Sequence, residues 1–167
     1  HFGDVHAPAY AQLAGLFIGD GSFSGNTAEL RFWNSDIAEL DSVVPNTLQQ
    51  FYEQEGGASE HPAYAKQSYR LVPKFKPKFG YEVAKLRSQA LANRLKADGI
   101  DVGDKHRVPR SIWNSDRETV GHFLAGLFSA DGHFQYNESK QCGAIVLTQV
   151  NRTLLEEVQL LLQQFGV

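Results

Sequence analysis

Asp20 and Asp131 are the residues of this chain whose setting and spacing most directly suggest chemistry. Each ends the same string: Leu-Ala-Gly-Leu-Phe-x-x-Asp-Gly stands at Leu13–Gly21 and again at Leu124–Gly132, followed both times by x-Phe. Aligning Gln12–Phe23 with Phe123–Phe134, 111 residues apart, leaves four mismatches in twelve positions. Such a repeat implies a duplicated unit that brings the two carboxylates to equivalent places. Two anions held close repel unless a divalent cation lies with them. Hard oxygen donors, few in number and with solvent and phosphate to complete the shell, suit Mg²⁺. Paired sites of this kind suit metal-assisted chemistry on a substrate with two-fold symmetry, and double-stranded DNA is one. An Asp-Gly aspartate can also be a plain turn residue; its presence in both copies favours the chemistry.

Both strings must be helical to place those carboxylates. Pro8 fits a first helical turn, where its missing N–H costs nothing. The stretch from about Pro8 to Gly19 is apolar on nearly all sides, which predicts a buried helix. Ser115-x-x-Glu118 reads as a capping box for a second helix, from about Asp116 to Ala130. Gly15 and Gly19 lie four apart on one face, and Gly126 and Ala130 repeat the spacing. Small residues so placed let helix backbones close up, so a central seam is expected. A carboxylate at the foot of each helix faces the negative end of the dipole, unfavourable by about 0.3–1 kcal/mol.

Leu30–Trp33 and Ala144–Leu147 read as strands. Asp36 and Asn151 read as caps of amphipathic helices that reach Phe51 and Phe165. Gln49-Gln50-Phe51 recurs as Gln163-Gln164-Phe165, so the duplication runs past the motif. The first copy continues with strand-like Tyr69–Phe79 and Tyr81–Leu86, then a helix over Gln89–Ala97 closed by Gly99. The expected fold is α+β, with two pseudo-symmetric half-domains, residues 1–103 and 104–167, each built as helix, antiparallel strands and helix. By repeat arithmetic the second half is expected to be incomplete, about fifty residues short. The lack of any methionine likewise leads to the expectation of a piece from a larger polypeptide.

The paired motif, with the approach Lys105-His106-Arg107-Val108-Pro109 to its second copy, resembles the LAGLIDADG homing endonucleases, and most of all the endonuclease domain carried inside inteins. The resemblance spans essentially the whole chain. It implies a saddle of two sheets over double-stranded DNA and site-specific hydrolysis of both strands of a long target across the minor groove. Asp20 and Asp131 would then hold Mg²⁺ or Mn²⁺, one aspartate per strand cut. The same resemblance implies a catalytic Lys105, a cation able to stabilise phosphorane-like charge or polarise the attacking water. It implies a water-organising Gln149, with Asn34 as its counterpart in the first copy. A monomeric pseudo-dimer inside a parent polypeptide with a splicing domain is the implied assembly. Splicing by this piece is not expected, because it opens on His1 and closes on Phe165-Gly166-Val167, without the Cys or Ser and the His-Asn pair that inteins use. The family also contains RNA-splicing maturases, which would bind intron RNA without cutting DNA. A DNA-binding relic without catalysis is a further alternative, disfavoured by the retained aspartates and Lys105.

Charge distribution supports a nucleic-acid partner better than net charge does. The chain is −3 overall, yet between Lys66 and Arg110 it has twelve Lys and Arg against four acids. A local surplus of that kind is what a phosphate-binding surface needs. In Lys74-Phe75-Lys76-Pro77-Lys78-Phe79 the types alternate, so an extended strand puts Lys74, Lys76 and Lys78 on one face and Phe75 and Phe79 on the other. Lys66, Arg70, Lys85 and Arg87 would extend the DNA-binding strip. An edge strand guarded against aggregation by Lys and Pro has the same pattern, and both readings stand. The six histidines and Cys142 lack zinc-ligand spacing. An EF-hand starting at Asp20 fails because Arg31 stands where a bidentate Glu belongs. The single cysteine excludes a disulfide framework and fits a reducing, intracellular setting. No apolar run approaches the ~18 residues of a membrane helix.

Overall fold

The computed structural model describes residues 8–33, 47, 50, 51, 74–76 and 81–167. Asn34, Asp36, Lys66, Arg70 and Lys78 lie outside these residues. Of the helix expected after Asp36, the described Thr47, Gln50 and Phe51 are helical.

Helix α1 spans Pro8–Asp20 and buries Tyr10, Leu13, Ala14, Phe17 and Ile18, as its all-round apolar sequence requires. The chain then turns into strand β1 (Ser22–Ser24) and, through Gly25 and Asn26, into β2 (Thr27–Trp33). Gly25 has φ +58°, a backbone that a two-residue hairpin turn readily assigns to glycine. Strands β3 (Lys74–Lys76) and β4 (Tyr81–Ser88) complete an antiparallel sheet of order β1-β2-β4-β3. Among the described residues, Lys74–Lys76 therefore lie at an edge of this sheet. Helix α2 (Gln89–Ala97) follows, capped by Ser88, which accepts from Leu91 N at 3.1 Å, and ended by Gly99 at φ +90°.

Pairing fixes which residues share a face. Ala28 faces Ser88, Glu29 faces Arg87, Leu30 faces Leu86 and Arg31 faces Lys85. Alternation then puts Ala28, Leu30, Phe32, Leu86 and Ser88 on one side, all buried against α1 and α2. Glu29, Arg31, Lys85 and Arg87 occupy the other side. The register carries positions 74 and 76 in the same rows, opposite Val83 and Tyr81.

A short helix α3 (Arg110–Trp113), not anticipated from sequence, leads into α4 (Arg117–Asp131). The cap of α4 is Asp116, whose carboxylate accepts from Thr119 N at 2.7 Å. The expected capping box starting at Ser115 is therefore corrected by one residue. Ser115 Oγ instead donates to Ser111 O at 2.9 Å, finishing α3. Strands β5 (Gly132–Asn137) and β6 (Cys142–Leu147) pair as a hairpin, and α5 (Arg152–Gln163) starts at the expected cap, Asn151. Among the described residues the second sheet has these two strands. Its Phe134, Tyr136 and Ile145 are exposed, whereas the equivalent Phe23 packs edge-on against Phe17 with ring centroids 4.8 Å apart.

Asp98 closes the connection between the two motif units. Its buried carboxylate accepts from Ser111 N at 2.8 Å and Tyr10 OH at 2.8 Å and also takes the Ser111 hydroxyl, while Arg110 N donates to Asp98 O at 3.2 Å. Residues 99–110 thus form a loop tied at its base.

Candidate active site

The site is set by the approach of α1 to α4. A Cβ on Gly15 would overlap Phe123 O and lie 2.7 Å from Leu127 N; a Cβ on Gly126 would overlap Gln12 O and lie 3.0 Å from Leu16 N. Those are the same contacts exchanged through the repeat, since 12, 15 and 16 correspond to 123, 126 and 127. A local two-fold axis therefore passes between the two glycines, as in an isologous dimer interface. Farther down, a Cβ on Gly19 would reach to 3.0 Å from Asp131 Oδ2. The expected seam of small residues is present, and it delivers the second aspartate to the residue that precedes the first.

Each aspartate is the last residue of its helix, and each helix closes in the same way. Gly21 N donates to Phe17 O at 2.8 Å, and Gly132 N donates to Phe128 O. A Cβ on either glycine would overlap that carbonyl, so glycine follows aspartate because the chain folds back on its own last turn. Asp20 is exposed and Asp131 is half-buried. Burial and the neighbouring Asp20 charge push the Asp131 carboxyl up from its ordinary value; Lys105, a hydrogen bond from Gln149 and His106 oppose this. Two carboxylates in mutual repulsion at an accessible point make a suitable hard-oxygen donor pair for a divalent cation. Among the described residues no group of three or more His, Cys, Asp and Glu is placed to hold a metal alone. Substrate oxygens and water would have to complete the shell.

Lys105, carried by the tied loop, reaches the same point. Its Nζ donates to Gly19 O at 3.2 Å and to Gly21 O at 2.7 Å, capping the negative end of α1 with a cation. Burial pushes its pKa down, while Asp131 and Asp20 pull it up. Gln149 arrives because the hairpin starts directly after Asp131 and pairs Gly132 with Leu147, so the chain leaving β6 returns to the aspartate. Its Nε2 donates to Asp131 Oδ2. The repeat pairs Asp20 with Asp131, the resemblance adds Lys105 and Gln149, and the structure gathers all four.

Lys85 and Arg87 lie on the open face of the first sheet, joined there by Arg31, and all three close over Glu29. Burial pushes Glu29 up, but hydrogen bonds from Lys85, Arg31 and Arg87 outweigh it and hold the carboxyl at about 2. Glu29 and Arg31 were missed as site residues, although Glu29-x-Arg31 inside a strand signals a same-face pair. His106 was weighed only for zinc; it lies near enough to Asp131 to lower its carboxyl, and its buried Nδ1 has no hydrogen-bond partner among the described residues. Among the described residues no helix is long and apolar enough to cross a membrane.

Comparison with known proteins agrees with this geometry. Residues 118–167 match the LAGLIDADG-like domain. The chain is 28% identical over 168 residues to ribonucleoside-diphosphate reductase NrdEB subunit alpha of Bacillus subtilis (strain 168), covering 99% of this chain and 15% of that protein. It is 29% identical to a DNA polymerase of Thermococcus sp. (strain GE8), covering 93% of this chain and 8% of the polymerase. The chain thus spans a small part of the curated relatives it matches. Among solved structures, mesophilic variants of the homing endonuclease I-DmoI superpose with a TM-score of 0.59 at 16% identity, over 96% of this chain and 74% of theirs. I-DmoI in complex with DNA and Mn gives a TM-score of 0.56 at 16% identity, over 96% of this chain and 78% of that one. Residues 118–167 are thus similar to a LAGLIDADG-like domain, and the chain as a whole has the fold of the homing endonuclease I-DmoI.

Proposed function

We propose that this chain is the nuclease part of a site-specific, metal-dependent DNA endonuclease that hydrolyses both strands of a long duplex target. The observation that carries the reading is the meeting of Asp20, Asp131 and Lys105 at the foot of a two-fold seam. The cation-bearing face of the first sheet supports it. Two equivalent carboxylates beside a pseudo-dyad match two scissile phosphates on antiparallel strands. Solved relatives in this fold are complexes with DNA and Mn or Ca.

In this reading Asp20 and Asp131 hold Mg²⁺ or Mn²⁺. The ion supplies Lewis-acid polarisation of a phosphodiester oxygen and a more acidic bound water. Gln149 fixes the orientation of the Asp131 carboxylate, and its remaining amide atoms are left to organise solvent. Lys105 gives two of its three N–H donors to Gly19 and Gly21, keeping the third for a phosphate oxygen. Arg31, Lys85 and Arg87, with Lys74 and Lys76 in the adjoining rows, follow the duplex. The chain works as a monomeric pseudo-dimer, divided near residue 103, inside a parent polypeptide such as an intein. That last point draws support from the small share of the reductase and the polymerase that the chain matches.

The test is cleavage of supercoiled plasmid carrying a target selected from random duplexes, with Mg²⁺. Asp20→Asn and Asp131→Asn should each abolish linearisation and keep binding. Full double-strand cleavage by either variant sinks the two-aspartate reading.

A further inference from the structure

Glu29 stands on the open face of the first sheet yet is 2% exposed, because three cations close over it. Its Oε1 accepts from Arg31 Nε at 2.8 Å and Lys85 Nζ at 2.9 Å, and its Oε2 accepts from Arg87 Nε at 2.8 Å. Arg87 Nη2 also lies 2.8 Å from Oε2. A carboxylate has about four lone-pair sites, so Glu29 is filled by its own neighbours and offers nothing to an outside donor. The cations remain open: one carboxylate faces three positive charges, and the side chains of Arg31 and Arg87 are 46% and 57% exposed.

The two arginines are held differently. Arg87 reaches Glu29 through Nε and Nη2, whereas Arg31 reaches it through Nε, and among the described residues no partner holds the two Nη groups at the far end of its plane. A guanidinium anchored through Nε on a buried carboxylate cannot swing freely after a phosphate. It presents a planar pair of N–H groups in one direction. Guanine is the base whose major-groove edge offers two acceptors, O6 and N7, to such a pair, and a β-ribbon is an element that groove admits.

We infer that Arg31 reads a guanine in the major groove and that Glu29 is the positioning residue that aims it, with Arg87 and Lys85 bracing the carboxylate. This rests on the proposed reading of the sheet as a DNA-binding face and adds a specificity determinant to it.

A pool of random duplexes bound by the whole chain in Ca²⁺, so that binding is read without relying on cleavage, and then sequenced, tests it. The unsubstituted chain should fix a guanine at one position of its site. Arg31→Lys should lower that preference by about tenfold and leave other positions unchanged. Glu29→Gln should flatten the same position without weakening total duplex binding, since it removes a negative charge. Arg31→Lys keeps both the charge and the Glu29 partner, so it decides the matter even where Glu29→Gln fails to fold. Unchanged preferences in Arg31→Lys, or a loss shared equally by all sequences, overturn the inference and assign the cluster to phosphates. Absence of duplex binding by the unsubstituted chain overturns the DNA-binding reading itself and the inference with it.

Discussion

Replacing Gly126 by alanine sets two effects of known size against each other. In a helix interior alanine is favoured over glycine by about 1 kcal/mol, so propensity alone makes Gly126→Ala stabilising. The added Cβ, however, would overlap Gln12 O and sit 3.0 Å from both Gln12 C and Leu16 N. All three are backbone atoms of a buried helix, so no side-chain rotation relieves them. The helices must part by an amount on the order of 1 Å, and overpacking of this kind costs about 1–3 kcal/mol, occasionally more. The net expectation is a loss of up to about 2 kcal/mol. Gly121 provides the contrast within the same helix: among the described residues a Cβ there meets only the Phe165 ring, at 3.9 Å. Gly121→Ala should therefore gain about 0.5–1 kcal/mol. Urea unfolding reads both, provided the slope of stability against denaturant is unchanged. The substitutions should move the midpoint in opposite directions. Under the proposed function Gly126→Ala should also slow cleavage about 10²-fold, the cost of displacing reacting groups by roughly 1 Å. A midpoint that rises in both variants would show that propensity decides, and that α1 and α4 do not touch backbone to backbone.

Glu29, held at about 2 against an ordinary 4.5, binds fewer protons when folded than unfolded between those values. Its contribution is complete above about pH 4.5 and disappears as pH falls toward 2. The shift corresponds to at most about 3 kcal/mol, less in practice because its cations are partly exposed and screened. The stability gap between the unsubstituted chain and Glu29→Gln should narrow as pH is lowered through this window, and a constant gap refutes the assignment. Lys105→Met removes the cation beside both aspartates; cleavage in single turnover should fall about 10²-fold or more while duplex affinity changes little. Equal losses in binding and cleavage would reduce Lys105 to an ordinary phosphate contact.

Features governed by local periodicity were legible in the sequence. The seam followed from Gly15, Gly19, Gly126 and Ala130 at helical spacing, and the expected cap Asn151 sits at the boundary of its helix. The cap of α4 was misplaced because Ser115 and Asp116 are both competent acceptors, and only geometry chooses between neighbours. Short pieces escaped: β1 has three residues and α3 has four, too few for a period to register. What depends on distant partners was not visible either. Glu29 went unread, because the expected strand began at Leu30 and the residues that bury it include Lys85 and Arg87, 56 and 58 positions away. Tyr10 and Asp98 are 88 positions apart, and nothing in either neighbourhood announces the other. Gln149 was reached by resemblance; its physical cause, the β5–β6 register, is a tertiary fact.

The tie between Asp98 and Ser111 has a mechanical consequence for Lys105. Ser111 N bonds back to the Asp98 carboxylate 13 positions earlier, so the covalent path between the two motif units is bypassed at its base. Under the proposed function, strain between the two units passes through this clamp and the helix seam. The intervening loop is itself tied to α5, where Glu157 accepts from Arg107 Nη2 at 3.0 Å and from Val108 N at 2.7 Å. Lys105 hangs from that loop and is pinned to the foot of α1 by Gly19 and Gly21. Its distance from the aspartates is therefore set by the helix it touches and by the nearby anchor on Glu157. The ammonium group can keep its place while the protein around it is pulled.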